Sequence, residues 1–180
     1  AIIRDVQQCQ LDGRPIFVLC KTEQESNCVT EMLKHQEDLN QVSVQCYSST
    51  LPQDLKESMI KNAGEIGAVT IGTVVDLGRG VDVRPVQEAK ANGGLHLVMT
   101  HHPKDDATYL QAIARAARNG AAGSVRVITE APIASEIVIR RSRALESKFS
   151  GISQIQKAYS APLDLFHAKK SNALKQDQAL

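Results

Sequence analysis

Short apolar runs rich in β-branched residues alternate along this chain with longer stretches in which apolar positions recur every three or four residues. That order is the pattern of βαβ units and predicts a parallel sheet covered by helices on both faces, an α/β fold. Ile16 to Cys20 predicts the first strand, entered through the turn Asp12-Gly13-Arg14-Pro15. Thr22 with Glu25 three positions on forms a capping box, and the helix it opens is predicted to run to about Glu37. Val42 to Tyr47 alternates with a period of two and predicts a second strand. A helix follows Pro52 to about Ala63, where Gly64 fits its stop. Ala68 to Gly72 is apolar almost throughout, as a central parallel strand is.

The run Asp76-Leu77-Gly78-Arg79-Gly80-Val81-Asp82 reads as a glycine-rich loop. After Gly93-Gly94 the pattern repeats. Leu95 to Thr100 predicts a strand, Asp105 to Arg118 a helix with an acidic first turn, and Ser124 to Thr129 the last strand. From Ile133 the chain turns helical, with the cluster Arg140-Arg141-Ser142-Arg143, and then increasingly polar. These changes divide it into a domain over 1–131 and a helical extension with a polar tail over 132–180.

Length, charge and cysteines narrow the classes. A chain of 180 residues can bury one core without staples. A net charge of +1 sets up no global field toward nucleic acid or an anionic membrane. The four cysteines, Cys9, Cys20, Cys28 and Cys46, have no C-x-x-C spacing and read as free thiols of a reducing, cytoplasmic compartment. No apolar run reaches the roughly 18 residues a bilayer span needs, and no signal-peptide order opens the chain. It begins on Ala1-Ile2-Ile3 without a methionine, as an excised piece of a longer polypeptide would.

In an open α/β sheet, ligands gather at the carboxyl ends of the strands, and Gly78-Arg79-Gly80 and the loop after Thr100 are expected there. Glycines flanking an arginine let backbone approach a phosphate while the guanidinium supplies a forked cation. The same loop also fits a plain glycine turn with a solvated arginine. Arg115 and Arg118, three apart on the predicted helix, share a face that either reaches an anion or complements the helix dipole, and on the first reading they converge with Arg79 at the carboxyl ends of the strands. His101-His102 lacks a third ligand and reads as a polar loop rather than a metal site. The basic cluster at 140–143, with no aromatic residues interleaved, reads as a solvated helix face.

Taken in order, these stretches resemble the second nucleotide-binding fold of the SecA family. That family's fifth motif, T-N-M-A-G-R-G-T-D, is echoed by Thr73 and Gly78-Arg79-Gly80-Val81-Asp82. Its two-glycine strand is echoed by Gly93-Gly94-Leu95-His96-Leu97-Val98-Met99-Thr100, and its sixth motif by Gln111-Ala112-Ile113-Ala114-Arg115-Ala116-Ala117-Arg118. The spacing from Thr100 to Gln111 is the family's. Gly13 to Val18 and Gly67 to Ile71 look like its first strand and its G-A-V-T-I strand. The departures are an extra residue between Thr73 and Gly78, alanine for both glycines at 114 and 117, and Ile113 where the family has arginine.

The resemblance implies a RecA-like domain of the P-loop NTPase superfamily, of the helicase C-terminal kind. Arg79, Arg115 and Arg118 would be catalytic arginine fingers, and Thr73, Gly78, Gly80, Asp82 and Gln111 would contact the nucleotide. No G-x-x-x-x-G-K-[ST] occurs, so ATP and its magnesium require a first nucleotide-binding domain, of the same or another chain. The implied function is half of an ATP-driven motor moving unfolded polypeptide, with no DNA or RNA bound and no turnover by this chain alone. The departures favour a second reading, a degenerate module kept as a protein-binding scaffold.

Overall fold

The computed structural model describes residues 1–39, 42–78, 81–103, 105–116 and 122–128. The segment 132–180, with its expected helix and basic cluster, lies outside them. The first element is a helix the hydrophobic pattern did not single out, α1 (Ile2–Leu11). Ile2, Ile3, Val6 and Cys9 supply an apolar stripe at helical spacing, with Val6 and Cys9 buried. Strand β1 (Ile16–Cys20) is buried at every position, as predicted for a strand covered on both faces.

Helix α2 (Glu23–Lys34) opens at Thr22, whose hydroxyl accepts the Glu25 N–H. Glu25 reaches back to the N–H of Lys21 rather than of Thr22. The helix stops short of Glu37 because His35 closes it, its ring Nδ1–H donating to the Glu31 carbonyl, and a 3-10 turn over Glu37–Leu39 buries Leu39 instead. Strand β2 (Val44–Cys46), helix α3 (Gln53–Asn62) and strand β3 (Val69–Thr73) follow where expected, β2 shortened at both ends.

Where a loop was expected from Asp76, the chain forms a short helix, α4 (Val74–Gly78), with Val74 and Leu77 buried. A second unexpected helix, α5 (Gln87–Ala91), precedes strand β4 (Leu95–Met99). Helix α6 (Asp106–Ala116) and strand β5 (Gly123–Val127) are the last described elements.

The five strands are all parallel in the order β2-β3-β1-β4-β5. Alternation along each strand sends Ile16, Val18, Val69, Ile71 and Val98 to a core under α1 and α2. Phe17, Leu19, Leu95, Leu97, Met99, Val125 and Val127 go to the opposite core with α4 and α6. No described helix is long and apolar enough to cross a membrane.

Candidate functional site

Helix α6 carries the sixth-motif stretch. Tyr109, Ala112, Ile113 and Ala116 recur at helical spacing and are buried on the sheet. Gln111 and Ala114 are exposed, and Arg115 is half-buried between the two faces. Ile113, in the family's arginine position, is a core residue at 2% exposure, which explains its apolar character. Ala114, in a glycine position, meets solvent, so its methyl obstructs nothing within this domain.

Close approach occurs elsewhere. The Ala116 carbonyl sits against Gly123, and the Ala122 carbonyl against Gly94, so tightly that neither glycine has room for a Cβ. Gly123 pairs with Leu95, the first residue of β4. The last turn of α6 therefore lies beside the amino-terminal ends of the strands. Arg115 was expected at their carboxyl ends; a helix returning antiparallel to its strand carries its C-terminus to the opposite edge, and that reversal decides the position.

At that edge Arg115 meets the other motif. Its Nη1–H donates to the carbonyl of Val81. Val81 and Val83 are buried in the α4–α6 core, and Asp82 between them is half-buried. Asp82 accepts from Arg84 at 3.3 Å, an ion pair the sequence did not flag. The Val86 N–H donates to the Gly64 carbonyl at 3.0 Å, pinning the segment to the turn before β3. Residues 81–86 thus run down the α6 face toward the amino-terminal edge. Arg79, Gly80 and Arg118 lie outside the described residues, and Gly78 is the last residue of α4.

Thr73 belongs to a separate cluster at the carboxyl ends. Its hydroxyl donates to Asp76 Oδ2 at 2.7 Å and accepts the Asp76 N–H at 3.1 Å. The Ser49 N–H donates to Asp76 Oδ1 at 3.3 Å, tying the turn after β2 to the turn after β3. Asp76 falls in the lengthened part of the fifth-motif loop. Thr73-Val74-Val75-Asp76 is a capping-box spacing, the signal from which α4 could have been read. Burial, reinforced by Asp76, raises the Tyr47 phenol above its ordinary range.

On the same edge the Thr100 hydroxyl donates to the Leu19 carbonyl at 3.4 Å. His102 donates through Nδ1 to the Pro103 carbonyl at 2.7 Å, with its ring 4.7 Å from that of Tyr109. Burial lowers the pKa of His101. The histidine pair is built into the loop, and among the described residues no three His, Cys, Asp or Glu side chains gather as a metal site requires.

The two-glycine signature has its own physical account. Gly93 and Gly94 take φ values of 105° and 68°, and that backbone turns both carbonyls to one guanidinium. Arg14 donates to the Gly94 carbonyl at 2.9 Å, the Gly93 carbonyl at 3.1 Å and the Ser124 hydroxyl at 2.6 Å. Ser124 in turn bonds His96 Nδ1 at 2.7 Å. Burial, with Arg14 and Arg126 nearby, lowers the His96 pKa to about 4, so the ring is neutral. Beside it Arg126 reaches Asp5 of α1 at 2.5 Å. Burial outweighs Arg126 there and raises the Asp5 pKa.

At the level of fold, the domain is similar to the solved structure of Mss116p DEAD-box helicase domain 2 bound to an RNA duplex, with a TM-score of 0.56 and 20% identity over 86% of this chain and 57% of that one. This is a RecA-like sheet of parallel strands flanked by helices. The protein translocase subunit SecA of Sulfurimonas denitrificans is 30% identical over 126 residues, 70% of this chain and 14% of that protein. The SecA of Amoebophilus asiaticus is 33% identical over 124 residues, 69% of this chain and 11% of that protein. The chain thus spans less than a fifth of the length of these relatives. A family model described as the SecA P-loop domain matches residues 1–91. With half of its 180 residues matched by that model, the chain belongs to the SecA P-loop domain family.

Proposed function

We propose that this domain is the second RecA-like half of a SecA-type motor, completing an ATP site whose phosphate loop and magnesium ligands come from a first nucleotide-binding domain. The absence of G-x-x-x-x-G-K-[ST] from the sequence supports the division of labour. The observation that carries the reading is the meeting of Arg115, from the sixth-motif helix, with Val81, next to Asp82 of the fifth motif. Segments 34 residues apart join at one edge of the sheet.

Arg79 and Arg118 are then the phosphate-facing cations of a composite site to which Arg115 also belongs, with Gln111 exposed one turn before Arg115. Guanidinium groups fit a triphosphate through forked, charge-assisted hydrogen bonds, and such groups contribute several kcal/mol, roughly, to phosphoryl-transfer transition states. ATP bound between the domains would supply the free energy of closure. This chain's residues would orient and neutralise the phosphates, and closure would drive movement of an unfolded polypeptide.

A second reading, a scaffold without nucleotide chemistry, has specific support. The Thr73 hydroxyl is held by Asp76, and Asp82 pairs with Arg84. Mixing the chain with a SecA first nucleotide-binding domain and magnesium-ATP separates the two. Turnover absent from either part alone, and lost with Arg118→Ala, is the result expected of the motor. No turnover in the mixture, with the two parts still bound to each other, is the result expected of the scaffold.

A further inference from the structure

We infer that Arg115 is a positioning residue, acting on the proposed phosphate contacts through the backbone of the segment after Arg79. The inference deepens the motor reading and rests on it for its consequence in turnover. Its geometry stands by itself.

The segment from Val81 is fixed by two kinds of contact. Val81 and Val83 anchor it by burial at 3% and 8% exposure, side chains against the α4–α6 core. Buried side chains fix depth but leave the backbone free to rotate about its anchors, and a carbonyl drawn below the surface needs a partner. Arg115 supplies one: its Nη1–H donates to the Val81 carbonyl. A guanidinium donor makes that bond charge-assisted, and its planar fork holds direction as well as distance.

Helix α6 is seated on the sheet by Tyr109, Ala112, Ile113 and Ala116, so Arg115 projects from a rigid base. The segment it holds follows Arg79 and Gly80 in sequence and ends at Val86 on the Gly64 carbonyl. Arg115 therefore fixes the backbone at Val81, two residues after Arg79 and next to Asp82 in sequence.

Hydrogen exchange on the 180-residue chain tests the contact without nucleotide. Arg115→Ala is expected to speed exchange of the amides at 81–83 about tenfold while exchange in β1 and β3 stays unchanged. Arg115→Lys, which keeps a donor, is expected to recover most of that protection. Unchanged exchange at 81–83 in Arg115→Ala overturns the inference.

In the mixture with a first nucleotide-binding domain, Arg115→Ala is expected to raise KM for ATP and lower kcat together, with Lys restoring much of both. A loss confined to kcat that Lys does not rescue would make Arg115 a direct finger and overturn the positioning role. If the unsubstituted mixture shows no turnover, the motor reading fails, and the exchange comparison alone decides the inference.

Discussion

The two faces of the sheet each bury an apolar core, the larger one under α4 and α6, and use their polar groups differently. Under α1 the polar groups are inward: Asp5 with Arg126, and Arg14 with Gly93, Gly94, Ser124 and, through it, His96. On the α4–α6 face the motif residue Gln111 is exposed, while Asp82 and Arg115 are half-buried. Buried polar groups must be satisfied where they are and can fix only the fold. Groups at the surface retain reach toward another molecule. On the motor reading proposed above, one face serves stability and the other chemistry, although arginines occur on both.

The largest effect expected is from Arg126→Ala. It leaves the Asp5 carboxylate buried without its ion pair and should lower unfolding free energy in urea by about 3 kcal/mol or more. Replacing both residues by apolar ones of similar volume should recover most of that loss, since burial already works against the charged carboxyl. A single substitution at Arg126 with no effect on stability would break the comparison.

Next comes acid sensitivity through His96. Unfolded, its imidazole takes up a proton near the ordinary value of 6.5, whereas in the fold it resists protonation down to about 4. Its contribution is complete above pH 6.5 and is lost as pH falls toward 4, by up to about 3 kcal/mol. Urea midpoints measured across that window should fall with acid in the natural chain and much less in His96→Asn.

Gly94→Ala should cost about 2 kcal/mol. The position combines a φ of 68° with the Ala122 carbonyl where a Cβ would stand. The smallest effect is expected of Asp76→Ala, about 1 kcal/mol for the carboxylate's lost bonds to the Thr73 hydroxyl and the Ser49 N–H, read as a small shift in thermal midpoint. If Asp76 also keeps Thr73 from an anion, this variant should bind ATP better in the presence of a first nucleotide-binding domain. A stability loss at Asp76 larger than at Arg126 would reverse the assignment of faces.

The sequence by itself determined the strand order along the chain, the parallel α/β class, the Thr22 cap and the SecA resemblance. It could do so because strand burial and helix amphipathicity are local periodicities, and each leaves its mark in a window of a few residues. It hid α1 behind the polar residues between Ile3 and Cys9, although their apolar neighbours have helical spacing. It also hid α4 behind a run of valines that reads as an extension of β3. Tertiary structure alone decided which edge of the sheet Arg115 occupies, that Val81 is its acceptor, that Ile113 belongs to the core, and that Arg14 explains the paired glycines. Those contacts join residues 34 to 80 positions apart, and no local pattern encodes them. They follow from the direction in which each helix returns along the sheet and from the few close approaches, at Gly94 and Gly123, that the packing permits.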